Sequence, residues 1–331
     1  MEDLSLCILE TNLTSEQKIF WRSKDGLSAP PDAQFSLWPF QGPRIPLSSY
    51  SIVGKLPSPA LPIQALQRID NPDKAAWIPL VEKTLLQMKE GAFKKVVLAR
   101  ETTLVFNHAP DPFAVVSALQ AKSQGAALFC VQFGENKAFL GASPERLFRR
   151  QKDQILVEAV AGTRKRGRDP FLDAQLKQEL LSSEKDIREF QFVQDYLQGM
   201  LPSLTFSPRR VHQTANVQHL FSQGTGMISS NERHQDIVDL LHPTPALLGT
   251  PKKGALQWIQ SQEPFQRGFY GGILGWELET ESEWMVTIRS CTLEGSIAKI
   301  YVGLGVVEGS DPHLEWEELE AKMSLYKGVF L

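Results

Sequence analysis

An α+β fold built on mostly antiparallel sheets is what this 331-residue sequence predicts, on three observations. Strand-like runs follow one another without intervening helices, short turns separate them, and the helical patterns are gathered in separate blocks. Residues 27–65, rich in proline and serine, read as irregular strands and loops. "NPDKAAWIPLVEKTLLQMKEG" then reads as a helix, with Asn71 or Asp73 near its cap and Gly91 at its end. "KVVLARETTLVF", "AALFCVQF", "KAFLGA", "RLFRR" and "ILVEAV" read as strands, and a helical block comes next, from about 170 to 200. A second strand group, "GGILGWELE", "WMVTIRSCTLE" and "IAKIYVGLGVV", precedes a final helix over about 312–328, capped by Asp311 with Pro312 at its first position.

Composition narrows the function classes. The chain is 42% hydrophobic and 22% charged, as a globular protein is, and its net charge of −3 creates no field for nucleic acid or an anionic membrane. Cys7, Cys130 and Cys291 are odd in number and far apart, which fits a reducing compartment and no disulfide framework. The start, Met1-Glu2-Asp3, lacks a signal pattern, and no apolar run reaches the ~18 residues of a membrane span, so a cytoplasmic location is expected.

Two predicted helices carry acids inside their apolar stripe. In "SSEKDIREFQFVQDYL", Asp186 and Glu189 project from the face of Phe190, Val193 and Leu197. On the last helix Glu315, Glu318, Leu319, Lys322, Tyr326 and Val329 share a face, while Glu317 and Glu320 point away. Uncompensated buried carboxylates cost several kcal/mol, so both pairs need cations. If the helices face each other, the four groups converge as oxygen ligands suited to Mg²⁺. The structural alternative is that Asp186 completes a capping box with Ser183, and that Glu315 and Glu318 pair with Lys322.

The blocks "KVVLAR", "GASPERLF", "AVAGTRKRG", "SEKDIREF", "NVQHL", "LLHPTPALLGTPK", "RGFYGG", "TIRSC" and "SDPHLEWEELEAK" occur in the order found in chorismate-utilising enzymes. Within that family the chain most resembles the isochorismate synthases of the menaquinone or siderophore type. The resemblance covers residues 70–331, the catalytic domain; residues 1–69 are a poorly matched segment of the same fold. It implies two large, mostly antiparallel sheets layered together with surrounding helices.

The resemblance also assigns roles. It makes Glu189 and Glu318 the ligands of Mg²⁺, with Asp186 and Glu315 as acids behind them. Lys95 becomes the base that activates water for attack at C2 of chorismate, and Glu145 of "SPER" the acid that protonates the departing C4 hydroxyl. Arg289, Tyr270 and Lys322 become clamps for the enolpyruvyl carboxylate, helped by N–H groups around Gly303 and Gly305. Gly162, Thr163, His219, Ala246 and Leu247 line the pocket. A lysine serves as base only if its pKa falls well below ~10.4, and Glu145 must conversely stay protonated. Read without the resemblance, Lys95 or Lys94 is an exposed strand charge, Glu145 sits in a turn, and His219 and His242 are core histidines. Arg289 amid apolar residues resists such a reading, because buried arginine demands an anion.

Lysine at position 95, where relatives that install nitrogen carry glutamine, points to water as nucleophile. Ala161 stands where one type of aminodeoxychorismate synthase has its lysine. Salicylate synthase remains an alternative, with Ala246 and Leu247 favouring an isochorismate synthase, and anthranilate synthase component I is a remoter one. Two departures stand out: Phe190 replaces the family's usual histidine, and the short N-terminal segment leaves sheet completeness in question. Net charge argues against "GTRKRGR" as a nucleic-acid patch. "GLGVVEG" is no dinucleotide loop, because it leads to Ser310-Asp311-Pro312 rather than directly into a helix. The expectation is an Mg²⁺-dependent monomer needing no glutaminase subunit.

Overall fold

The structure is a computed structural model that describes residues 17–47, 50–58, 63–123, 125–214 and 217–330. The Met1-Glu2-Asp3 start and Cys7 lie outside the described residues. The N-terminal part runs β1 (Gln17–Arg22), β2 (Gln34–Trp38), β3 (Ile45–Pro46), β4 (Tyr50–Ile52), β5 (Gln67–Asn71) and α1 (Lys74–Lys89). Then come β6 (Lys95–Val105), α2 (Pro112–Lys122), β7 (Ala127–Gly134), β8 (Lys137–Ser143), β9 (Arg146–Gln151) and β10 (Gln154–Lys165). The middle holds α3 (Pro170–Ser182), α4 (Glu184–Met200), β11 (Thr205–Phe206), β12 (Arg210–Gln213), β13 (Val217–Met227) and α5 (His234–Leu241). The chain ends with β14 (Gly249–Thr250), α6 (Lys252–Gln262), β15 (Ile273–Glu277), β16 (Glu281–Val286), β17 (Ser290–Glu294), β18 (Ile297–Val307) and α7 (Pro312–Phe330).

These strands make two nine-stranded sheets. The first is ordered β14-β6-β18-β17-β8-β7-β1-β4 with β5 also on β6; the second is β11-β13-β10-β9-β16-β15-β2-β3 with β12 also on β13. Every pairing is antiparallel except β1 with β4, so the predicted α+β class holds. Ile19, Phe35, Phe129, Phe139, Leu274 and Met285 pack the layer between the sheets. α1, α2, α6 and α7 cover the first sheet with a core including Trp77, Leu98, Leu304 and Tyr326. α4 and α5 cover the second with Phe190, Val193, Leu197 and Ile237. Each helix layer buries an apolar stripe that would otherwise face water, at about 25 cal/mol per Å².

The structure corrects one strand and sharpens three other readings. The run "WMVTIRSCTLE" is not one strand: β16 and β17 belong to different sheets, and the chain crosses between them at Thr287–Arg289. Arg289 therefore sits at the crossover with φ 51°, a left-handed conformation that a non-glycine residue keeps only when its surroundings fix it. Its carbonyl accepts from the Ala142 N–H at 3.1 Å and from the Tyr326 hydroxyl at 2.8 Å. The block 170–200 is two helices, because Ser183 leaves helical geometry and caps α4 through the Asp186 N–H. The doubt about sheet completeness is removed, since β1, β4 and β5 extend the first sheet and β2 and β3 the second. Finally, Phe190 is a fully enclosed core residue, filling space under β10 with apolar surface.

Candidate active site

The site forms where β6 and β18 of the first sheet face β10 of the second, beneath α4 and α7. Along β6, Val96 and Leu98 pack under the helices, which turns Lys95, Val97 and Ala99 the other way. Lys94 is exposed and Lys95 is fully buried, as alternation on a strand demands. β18 places Gly303 opposite Ala99 and Gly305 opposite Val97. A Cβ on Gly305 would stand 2.2 Å from Glu189 Oε1 and 2.7 Å from Lys95 Cε, so glycine is what lets both side chains lie over the strand. The N–H groups of Ala99 and Val97 go to Glu263 Oε1 and Leu248 O, away from β18. The backbone groups of Gly303 and Gly305 accordingly point off the edge left open where β17 begins.

A cleft is lined by Glu145, Gly162, Thr163, Glu189, His219, Ala246, Leu247, Tyr270, Arg289, Gly303, Gly305 and Lys322. Every predicted pocket residue is thus brought together. Lys95 lies just behind this wall, its Nζ 3.1 Å from Glu189 Oε1. The other three acids are off the cleft: Asp186 lies beneath the β10 bulge at Gly162, and Glu315 and Glu318 face a neighbouring cleft that shares Thr163. Among the described residues no three His, Cys, Asp or Glu side chains come close enough to ligate one ion, so the expected four-fold convergence is not realised. The reason is that each acid has its own cation. Arg164 holds Asp186 at 2.6 Å, Lys95 holds Glu189, Lys185 holds Glu315, and Lys322 holds Glu318 at 2.6 Å. The structural alternative, in which Lys322 pairs with both acids of α7, holds for Glu318 only.

The electrostatics separate these groups. Burial pushes Glu145 up to about 7, and the nearby Glu158 adds to the rise, against Lys95, Lys24 and Lys322. Desolvation pushes Glu318 up as well, but Lys322 and Lys185 overcome it and hold it below the usual carboxylate range. Burial lowers Arg289 to about 10. Among the described residues no carboxylate lies within ion-pair distance of Arg289; its contact is His219 Nε2, 3.5 Å from Nη2. His219 is held neutral by burial and by Arg289. The arginine only donates, so Nε2 accepts, and the proton sits on Nδ1, 3.2 Å from Gly162 O. Tyr270 is stacked on Tyr301 at 5.4 Å, with burial raising its hydroxyl above the tyrosine range.

Sequence reasoning missed Arg267, Arg164 and Lys185. Arg267 is enclosed between Phe40 and Tyr270, pairs with Glu263, and donates to Leu247 O and Val97 O, tying together the backbones on two sides of the cleft. Its signal was present: an arginine in the apolar run "FQRGFY". Arg164 and Lys185 were visible only as charges next to motif residues.

The donor set suits a hard cation in kind. All four acids offer only oxygen, and Asp186 Oδ1 is buried without a hydrogen-bond partner among the described residues.

The fold is therefore two sheets and two acid-bearing helices around a cleft that gathers Glu145, Glu189, Arg289 and Lys322. Residues 52–328 match the chorismate binding enzyme family, and the chain belongs to it. It is 36% identical over 284 residues to the chloroplastic isochorismate synthase of Catharanthus roseus, covering 83% of this chain and 49% of that protein. It is 32% identical over 275 residues to isochorismate synthase EntC of Escherichia coli, covering 81% and 70%. Its structure superposes on MenF, the menaquinone-specific isochorismate synthase of Escherichia coli, with a TM-score of 0.82 at 26% identity, covering 100% of this chain and 92% of that one. The chain spans about half the length of the first curated relatives it matches, 49% and 50% for two plant proteins.

Proposed function

We propose that the protein converts chorismate to isochorismate, and the observation that carries this is the buried, carboxylate-free Arg289 facing the same cleft as Glu145, Tyr270 and Lys322. A guanidinium so enclosed costs several kcal/mol unless an anion completes it, and the enolpyruvyl carboxylate of chorismate supplies one. Lys322 and the N–H groups of Gly303 and Gly305 extend that anion site, while Ala246 and Leu247 give the ring an apolar wall.

In the reaction, water attacks C2 as Lys95 accepts its proton. Both ring double bonds shift, C1=C2 to C1=C6 and C5=C6 to C4=C5, the C4–O bond breaks, and Glu145 gives its proton to the leaving hydroxyl, which departs as water. One water is consumed and one released, so the net change is isomerisation. An acid pushed up to about 7 retains a proton to give near neutral pH, which supports Glu145 in this role. Glu189 and Glu318 are the proposed Mg²⁺ ligands, with Asp186 and Glu315 behind them; the ion supplies charge neutralisation for the ring carboxylate when bound. Glu189 and Glu318 could hold the ion only if Lys95 and Lys322 released them, and Lys95 would then be free to act as base.

The reading includes action as a cytoplasmic monomer without a glutaminase subunit, since water needs no ammonia channel. Cys130 and Cys291 are buried free thiols, and among the described residues no helix is long and apolar enough to cross a membrane. The test is incubation of purified protein with chorismate and Mg²⁺ and identification of products by NMR. Isochorismate is expected; anthranilate on adding ammonia, or salicylate with pyruvate as the main product, would overturn the reading.

A further inference from the structure

The catalytic acid is held from behind by a part of the chain that lies outside the family match. Residues 23–27, "SKDGL", form a tight turn after β1. The Ser23 hydroxyl accepts from the Asp25 and Leu27 N–H groups, the Ser23 N–H reaches Leu27 O at 2.8 Å, and Gly26 takes φ 78°. The turn points Lys24 and Asp25 from the first sheet across to the second. Lys24, 7% exposed at its side chain, meets Glu158 Oε2 of β10 at 2.6 Å. The same oxygen accepts the backbone N–H of Arg146 at 3.2 Å, and Oε1 accepts the Arg146 guanidinium at 3.1 Å. Arg146 is completed by Glu283 of β16 at 2.7 Å and by Asp25 at 2.8 Å. Arg146 is the next residue after Glu145, whose own backbone is bound by the Ser143 hydroxyl and the Val286 N–H.

We propose that Lys24 is a positioning residue for Glu145: by pairing with Glu158 it fixes the carboxylate that anchors the Arg146 backbone, and balances the charge of Glu158 behind the acid. The proposal rests on the reading of Glu145 as proton donor. The charged groups facing Glu145 are Glu158 on β10, Lys95 on β6, Lys322 on α7 and Lys24 itself; His212 and Arg210 on β12 lie on the far side of the Lys24–Glu158 pair. Glu158 favours the protonated acid and Lys24 opposes it. A merely structural tie between the sheets would alter stability and leave the titration of Glu145 where it was.

The experiment is an infrared pH titration of the full-length protein, following the carboxyl band that Glu145→Gln removes, beside kcat and KM for chorismate. Lys24→Met is expected to raise the titration midpoint by roughly half a unit to one unit, and Glu158→Gln to lower it by a similar amount. The double variant returns towards wild type, because one charge of each sign is lost, and Lys24→Arg titrates as wild type. In Lys24→Met, kcat falls with KM little changed. An unmoved midpoint in a folded Lys24→Met protein, or an equal shift in Lys24→Arg, overturns the proposal. Should Lys24→Met not fold, the double variant, which leaves neither member of the pair alone, is compared with Glu158→Gln and must titrate above it. The carboxyl band reports whatever product forms, so failure of the functional reading is seen separately, in the NMR assay.

Discussion

Glu145 and Glu318 are carboxylates at adjoining clefts, the first buried and the second half-buried, yet it is the charges around them that drive them apart. Behind Glu145 stands another acid, Glu158, and burial prevails, so the group keeps its proton up to about 7. Glu318 stands one helical turn from Lys322 and within the field of Lys185, and those cations keep it ionised although desolvation works against it. The residue type is identical and desolvation pushes both groups the same way; the sign of the nearest neighbour decides. That difference lets one end of the site give a proton and, in the proposed mechanism, the other hold a cation.

The comparison can be broken most sharply through the lysine that stands between its two ends. Lys95→Gln should lower kcat by roughly 10²–10⁴-fold, the usual worth of a general base, while Mg²⁺ binding measured by calorimetry persists. Full turnover in that variant would remove Lys95 from the mechanism. At the ionised end, chelation should cost several kcal/mol of charge stabilisation, roughly a hundredfold or more in rate, with recovery on adding Mg²⁺. Turnover unaffected by a chelator would leave the acids of α4 and α7 with a structural role only. Gly305→Ala should press on Glu189 and Lys95 together, lowering turnover by about ten- to a hundredfold while costing about 1–3 kcal/mol of stability, read by kinetics and thermal unfolding.

The smallest effect sharpens the contrast through stability. Glu145 has a folded pKa above its ordinary value of 4.5, so the folded state binds more protons than the unfolded one between 4.5 and about 7. Stability then falls as pH rises through that window, and Glu145→Gln escapes the loss. The variant should gain roughly 1–3 kcal/mol relative to wild type on going from pH 4.5 to pH 7.5. Glu318 has the opposite sign: its contribution is complete above 4.5 and disappears as pH falls below it. Glu318→Gln should therefore approach wild-type stability on acidification, as monitored by denaturant unfolding. Parallel pH trends in the two variants would erase the distinction between the ends.

Much of the site was legible in the sequence because its cues are local. The α4 and α7 stripes named Asp186, Glu189, Glu315 and Glu318 from 3.6-residue spacing, whereas strand alternation left Lys94 and Lys95 undecided and Lys95 came from motif register alone. Arg289 was singled out because no apolar strand tolerates it, although its place at a crossover between sheets was hidden. The N-terminal strands were legible only as irregular segments: β3 and β4 are two and three residues long, too short to show a period.

By itself the sequence determined the fold class, the helix cap at Asp311 and the apolar stripes of the two acid-bearing helices, since these depend on neighbours within a few residues; the choice of Asp73 over Asn71 as a cap came from the structure. The pairing of each acid with its own cation was decided only in three dimensions, as was the reach of Lys24 to Glu158 across 134 positions. Coulomb forces depend on distance through space, and no local pattern records which distant charge the fold will bring near.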